Sequence, residues 1–428
     1  MSPSLPIPAL RFVHAADLHL DSPFTGLRSI APVIAEHLYN ATFEAYEALI
    51  NLCIEEHVDA FLVAGDIYDS ADRSLRAQLK FVDGLRRLDA EGIQSFVCHG
   101  NHDPLDGWEA RLTLPASCHR FGPALETVPI DISNPDKGTV SGLSYPRREV
   151  RDNLARTWQN PAPSGFHIGL LHCNAGGNRD HEAYAPCTIE DLAATNVDYW
   201  ALGHLHTRQV LRPAGPAIVY PGNLQGLQPN ETGGRGAYLV EVSAAGAIGL
   251  DFRPLDSVRW EGIDIRIEGI ETEQQLLDEI EAGTERVMDS ADGRHVILRV
   301  KLVGRGPLHH TTHRVGFDSE LQESINDQWA DRDPFAWCER VEVVTRPAVD
   351  RERQRQAGDF VGDVLRFVDQ ARDDEATLKE LSGQLEALYN HRSARRYLQR
   401  SLSIREDLSA LLSEAEARCL DLLLEDSQ

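Results

Sequence analysis

The stretch LRFVHAADLH, residues 10–19, decides the architecture. Leu10–Ala15 is a short, apolar, β-rich run, and just beyond its end Asp17 and His19 stand one residue apart on what reads as an extended loop, two metal-binding side chains on the same side. By itself an Asp-x-His pair is weak. The same arrangement recurs along the chain, however. Further strand candidates lie at residues 60–64, 95–98, 167–171, 199–202 and 237–242. Between the first three, residues 32–56 and 74–91 carry apolar positions at three- and four-residue spacing, as amphipathic helices do. Strands alternating with helices predict a layered α/β (α+β) fold from residue 11 to about 241.

The run at 60–64 is followed by Gly65-Asp66-Ile67-Tyr68-Asp69, and the run at 95–98 by Gly100-Asn101-His102-Asp103. The run at 167–171 gives His172, and that at 199–202 gives Gly203-His204-Leu205-His206. Each group lies past the C-terminal end of a strand, where open α/β sheets place their ligands. A binuclear site needs one carboxylate to bridge both ions, with oxygen and imidazole donors completing each shell. Together these five groups supply Asp, Asn and His side chains of that kind.

Taken together, AADLHLDSPF (15–24), GDIYD (65–69), CHGNHD (98–103), GLLHCNAGG (169–177), ALGHLH (201–206) and YPGNLQG (220–226) resemble the calcineurin-like metallophosphoesterases. Within them, the spelling is most similar to the DNA-repair exonuclease branch of SbcD, YhaO and Mre-type nuclease subunits. The resemblance covers about the first half of the chain and implies a β-sandwich flanked by helices. It implies one ion on Asp17, His19, Asp66 and His206 and a second on Asp66, Asn101, His172 and His204, with Asp66 bridging; manganese is the ion expected. It also implies metal-activated attack of water on a phosphodiester, with His102 assisting the departing oxygen. Asp103 would either orient that imidazole or cap a turn.

At 428 residues the chain exceeds what one core usually organises. The expected domains are a catalytic domain at 1–257, a small α+β capping domain at 258–346, and a helical region at 347–428. In the second, a strand at 263–267, a helix at 271–288, a strand at 296–303, a helix at 319–329 and a strand at 340–345 are expected before a break at Arg346-Pro347. In the third, Leu378, Leu381, Leu385 and Leu388 form a helical stripe, and residues 401–424 repeat one with Leu402, Leu408, Leu411, Leu412 and Leu420, so that a helical hairpin is expected. By resemblance, the cap holds DNA over the metals and the tail binds an SMC-like ATPase subunit of the SbcC/YhaN kind; a plain helical bundle or a homodimer seam is the alternative for the tail.

Composition places limits on function. A hydrophobic fraction of 42% and a charged fraction of 25% are those of an ordinary globular protein. No apolar run reaches the length of a membrane span and Met1–Leu10 lacks a secretory pattern, so a cytoplasmic protein without membrane contact is expected. Seven cysteines, without CxxC pairs, argue against a disulfide framework or a zinc-thiolate site. A net charge of −25 opposes broad contact with nucleic acid, which restricts any DNA contact to local surfaces or to a partner. Arg147, Arg148 and Arg151, and again Arg392, Arg395, Arg396 and Arg400, are the local basic clusters; His309, His310 and His313 read as a solvated loop. Two rivals remain. One is a small-molecule or cyclic-nucleotide phosphodiesterase or phosphatase, for which a cap and tail would be superfluous; the other is a non-catalytic scaffold, which would lack ligands.

Overall fold

The computed structural model describes residues 9–25, 32–72, 74–110, 112–131, 133–158, 165–176, 184–374, 376–381 and 383, and scattered positions within 411–423. The chain divides into two compact units. The larger comprises Met1–Arg266, Thr272–Val303 and Thr312–Val344; the smaller comprises Ile267–Glu271, Gly304–Thr311 and Thr345–Gln428.

The larger unit is built on two six-stranded sheets. In the first, β1 (Leu10–Ala15), β2 (Ala60–Ala64), β3 (Gln94–Cys98) and β4 (Cys118–Arg120) run parallel in sequence order. Helices α1 (Pro32–Glu55) and α2 (Leu75–Ala90) make the crossovers. In the second, β6 (Gly138–Gly142), β7 (Phe166–His172) and β8 (Tyr199–Gly203) are parallel, flanked by the antiparallel β5 (Glu126–Pro129); the helix α3 (Ile189–Ala193) precedes β8. Strand β10 (Ala217–Tyr220) extends that sheet parallel to β8, and β9 (Gln209–Arg212) closes its edge antiparallel to β10. The hairpin of β11 (Gly236–Val242) and β12 (Ile248–Pro254) returns to the first sheet, β11 pairing antiparallel with β1.

Side chains alternate across each strand, and here both faces are covered. Phe12, Leu62, Phe96 and Cys98 meet Ile168, Leu170, Tyr199 and Val219 between the sheets. Val13, Phe61, Val63 and Val97 pack outward on Tyr46, Leu49, Phe81 and Leu85 of α1 and α2. Trp200, Leu171, Leu202 and Ile218 pack on Trp158 and Leu192 behind the second sheet. The sequence places α2 with its own signal, since Ser74 sits at the N-cap and its hydroxyl accepts from Ala77 N at 3.0 Å.

The strand ends are level. Ala15 pairs with Val63, Ala64 with Cys98, and His172 with Gly203. At that edge the sheets nearly touch, because a Cβ on Gly203 would lie 1.8 Å from the Ala64 carbonyl oxygen. Only glycine permits that approach, and it draws the loops after β1, β2, β3, β7 and β8 to one place.

Also in the larger unit, β13 (Val258–Arg266), β14 (His295–Val303) and β16 (Ala336–Val343) form a parallel three-stranded sheet with α4 (Glu273–Ser290) and α6 (Phe317–Trp329). Trp260, Ile297 and Phe335 of this part bury Ile34, Leu38 and Ala41 of α1. The last strand begins four residues before the expected position and ends at Val343. The apolar Phe335-Ala336-Trp337-Cys338 run after Pro334 pairs with β14, which the sequence reading passed over.

In the smaller unit, β15 (Arg305–Gly306) pairs with β17 (Arg346–Pro347), so the expected break carries a two-residue strand. A short helix α5 (His309–Thr312) replaces the loop expected around His309 and His310, and His309 Nδ1 lies 3.2 Å from Thr345 Oγ1. The tail begins with α7 (Arg351–Gln356) and α8 (Phe360–Asp373), whose Val361 and Leu365 pack with Leu420. The other expected tail positions, Leu385, Leu388, Leu402, Leu408 and the arginines at 392, 395, 396 and 400, lie outside the described residues.

Candidate metal centre

The loops after five strands bring all seven expected donors together. His172 is fully buried and its Nδ1 lies 2.9 Å from the Ala64 carbonyl, which can only accept; the proton is therefore on Nδ1. That leaves Nε2 aimed inward, 3.0 Å from Asn101 Oδ1 and 3.3 Å from Asp66 Oδ2. On the other side, His206 donates from Nδ1 to Glu231 Oε1 at 2.6 Å. Its Nε2 faces His19 Nε2 at 3.2 Å, two nitrogens with lone pairs turned on one another. The backbone N–H of His204 donates to both oxygens of Asp17 at 3.1 Å, and the His204 ring lies 5.3 Å from that of His172.

Three sets of potential ligand atoms fall within 4.8 Å of one another: Asp17, His19 and His206; Asp17, Asp66 and His172; and His19, Asp69 and His102. The first two share the Asp17 carboxylate. The donors fit divalent cations on chemical grounds. Asp17 and Asp66 are 1% and 2% exposed, and no lysine or arginine among the described residues pairs with either. Buried carboxylates without such partners are costly unless cations compensate them.

The electrostatics reflect that crowding. Burial holds the Asp17 carboxyl above its ordinary range, against the pull of His172 and His206. For Asp66 burial acts the same way, but His172, His102 and His19 overcome it and hold the group well below that range. Burial pulls the His172 imidazole down, yet Asp66 and Asp17 lift it to about 9.

Four of these residues bend the backbone unusually. Asp17, His19 and Asp66 have φ of 50°, 41° and 51°, and His204 has 105°. Such left-handed geometry is uncommon outside glycine. It is held here by the loop–loop hydrogen bonds from Asp17 N to Gly65 O at 3.0 Å and from His19 N to Asp66 O at 3.1 Å. A Cβ on Gly100 would stand 2.4 Å from Asp66 Oδ1, so glycine is required there for the carboxylate to keep its place.

His102 is half-exposed at the rim, its N–H donating to Asp66 Oδ1 at 2.9 Å. Its imidazole is hydrogen-bonded through Nδ1 to Asp69 and not to Asp103. Asp103 instead accepts the backbone N–H groups of Gly100, Asp66 and Ile67 at 2.7, 3.2 and 2.9 Å, tying two donor loops together as a turn cap does. Sequence reasoning quoted Asp69 in the GDIYD motif and gave it no role; its partner lies 33 residues away. Glu231 was missed as well. It lies 25 residues beyond His206 and is pinned by the N–H groups of Leu227 and Gln228. An isolated acidic residue in a turn gives no spacing signal.

Two facing sheets with a histidine and carboxylate centre on their common edge define a metallophosphoesterase, and residues 10–208 match the calcineurin-like phosphoesterase family. Residues 260–346 match the family described as metallophosphoesterase YhaO, middle domain. The chain belongs to the YhaO family of calcineurin-like metallophosphoesterases. It is similar to metallophosphoesterase YhaO of Bacillus subtilis (strain 168), 33% identical over 420 residues that span 96% of this chain and 99% of that one. It is also homologous to the DNA double-strand break repair protein Mre11 of Aeropyrum pernix, 26% identical across 52% of this chain and 55% of that one. The SbcD component of nuclease SbcCD from Bacillus subtilis (strain 168) is 23% identical across 59% of this chain and 69% of that one. The chain is accordingly a hydrolase of phosphoester bonds. No helix among the described residues is long and apolar enough to cross a membrane.

Proposed function

We propose that this protein is a DNA-directed phosphodiesterase, an exonuclease of the Mre11 and SbcD kind, working with two divalent cations, manganese by preference. The observation that carries the reading is the convergence of Asp17, His19, Asp66, Asn101, His172, His204 and His206 at one sheet edge. Mixed oxygen and imidazole donors suit manganese. DNA as substrate, and an SMC-like ATPase as partner of the tail, rest on the kinship with Mre11 and with SbcD. In this reading residues 1–257 catalyse, 258–346 cap the site and 347–428 engage the partner; the match of a middle domain at 260–346 supports the second assignment.

Asp17, His19, Asp66 and His206 would hold one cation and Asp66, Asn101, His172 and His204 the other. Together the ions would supply Lewis acidity toward the phosphoryl oxygens and lower the pKa of water. The chain's own part is orientation and proton supply. Glu231 fixes the His206 tautomer and the Ala64 carbonyl fixes that of His172, leaving both Nε2 atoms free to ligate. Burial pulls the His102 imidazole down, but Asp69 and Asp66 lift it to about 9, so at neutral pH it carries a proton for the leaving 3′ oxygen.

The test is cleavage of end-labelled duplex and single-stranded DNA by the metal-stripped protein with manganese, magnesium or chelator. Manganese-dependent shortening that disappears in Asp66→Ala is expected. Hydrolysis of a bis-phosphodiester dye with intact DNA would replace the nuclease by a small-molecule phosphodiesterase. In His102→Ala, ion content should stay near normal while turnover falls; Asp66→Ala should lose both.

A further inference from the structure

Cys173 and Cys187, two of the chain's buried free thiols, face each other with their sulfurs 3.8 Å apart. We propose that this pair is a redox-modification site, oxidised by hydroperoxides to a reversible disulfide. The two segments that carry it are already joined along their backbones. Gly176 N donates to Cys187 O at 3.0 Å, Cys187 N to Asn174 O at 3.2 Å, and Asn174 N to Tyr184 O at 2.9 Å. Loop closure is therefore accomplished before the bond forms, and the sulfurs need to approach by only about 1.8 Å to reach the disulfide length of about 2.05 Å. Elsewhere in the chain no other cysteine pair among the described residues stands in such contact.

Access comes from one side. Cys187, 5% exposed, lines a cavity of about 560 Å³ together with Gly176, Asn153, Arg156 and Thr188, whereas Cys173 is fully buried behind it. With Cys187 at the cavity wall and Cys173 enclosed behind it, Cys187 is the sulfur that a peroxide reaches first. The Cys187 thiolate attacks the peroxide oxygen; the O–O bond breaks, and alcohol or water leaves with a sulfenic acid formed on Cys187. The Cys173 sulfur, giving up its proton, then attacks the sulfenic sulfur. The S–S bond forms, the S–O bond breaks and water departs, so two thiols and one hydroperoxide yield one disulfide, water and the reduced peroxide product.

The position gives the modification its reach. Cys173 follows His172 directly, and the Cys187 segment carries Tyr184, whose ring lies 5.6 Å from that of His204. A disulfide would brace the start of the connection after β7, next to His172, to its later part, whose Tyr184 packs on His204.

Trypsin cuts after Arg179, between the two cysteines, so the bond is read directly by mass. The full-length protein is exposed to hydrogen peroxide, alkylated in denaturant, digested without reductant and analysed, with the exposed Cys419 as internal control. The expected result is a linked Cys173–Cys187 peptide pair, equivalent to the loss of two titratable thiols per chain, which dithiothreitol separates and restores. Complete oxidation of Cys419 while Cys173 and Cys187 both remain alkylatable overturns the proposal, as does conversion of Cys187 to sulfinic acid without linkage. The Cys187→Ser variant should yield no linked pair and keep Cys173 reduced; oxidation of Cys173 in that variant would refute the order of attack.

Discussion

Asp69 holds His102 by its Nδ1 nitrogen, at the rim of a centre into which His19, His172 and His206 turn their Nε2 atoms. Burial pushes the Asp69 carboxyl up, but hydrogen bonds from His102 and His19 hold it well below the ordinary range, so it is ionised throughout neutral pH. The pair forms a carboxylate–imidazole couple whose charged form is favoured.

Removing that carboxylate should change the pH profile and not merely the rate. In the proposed mechanism His102 acts protonated, so activity is expected to fall as pH rises through its pKa of about 9. Asp69→Asn removes the largest upward influence, and the alkaline limb should move to lower pH, with turnover reduced roughly 10- to 100-fold. Hydrolysis of bis-p-nitrophenyl phosphate between pH 6 and 10, at saturating manganese, measures this. An unmoved limb would reject the coupling.

Under the proposed assignment, Glu231→Gln should weaken the ion that His206 would hold. The amide can still accept from Nδ1–H but no longer strengthens imidazole basicity, and changes to such supporting partners typically cost about 10- to 100-fold in metal affinity. Calorimetric titration should find one of two sites weakened while the other is retained; two unchanged sites would remove Glu231 from the centre.

Metal binding should release protons. His172 is lifted to about 9 without ions and must be neutral to ligate, so at pH 7 an entering cation displaces its proton. Apparent affinity should rise with pH up to about 9 and level off above it. Titrations in buffers of different ionisation enthalpy would count the protons, and a pH-independent affinity from pH 7 to 9 would contradict the assignment.

His14 makes an independent prediction about stability. Between the sheets its Nε2–H donates to Leu202 O at 3.2 Å and its Nδ1 accepts from Tyr199 Oη at 3.0 Å, which satisfies the neutral ring. Burial lowers its pKa from the ordinary 6.5 to about 3, only partly offset by the Leu202 hydrogen bond. The unfolded chain therefore binds a proton between pH 6.5 and 3 that the folded chain refuses. As pH falls across that window, stability should drop by up to about 1.4 kcal/mol per unit from this group alone. In His14→Gln the urea midpoint should fall less steeply from pH 6.5 to 4.5 than in the parent.

The strands that hold the centre were legible because they are apolar on both faces: β1 and β2 occupy the residues the sequence assigned them, and α1 differs by one residue. What was lost lies at the edges. Strand β12 alternates half-buried and exposed positions only from Ile248 to Phe252 and was not recognised, and the change of pattern from Phe252 onward read as the approach to a domain boundary. Strand β10 is four buried residues behind Pro216, too short for a period to show. The donors were legible because each follows a strand directly. Asp69 and Glu231 were not, since a carboxylate acting on an imidazole across space leaves no mark at a fixed interval.

Asp17, His19, Asp66 and His204 sit in left-handed backbone that costs a side chain about 1 kcal/mol or more apiece, and that glycine would occupy without penalty. A laboratory selection for heat resistance alone, blind to turnover, would thus be drawn toward glycine at these four positions. The most heat-tolerant descendants would tend to be the ones whose catalytic centre had been erased.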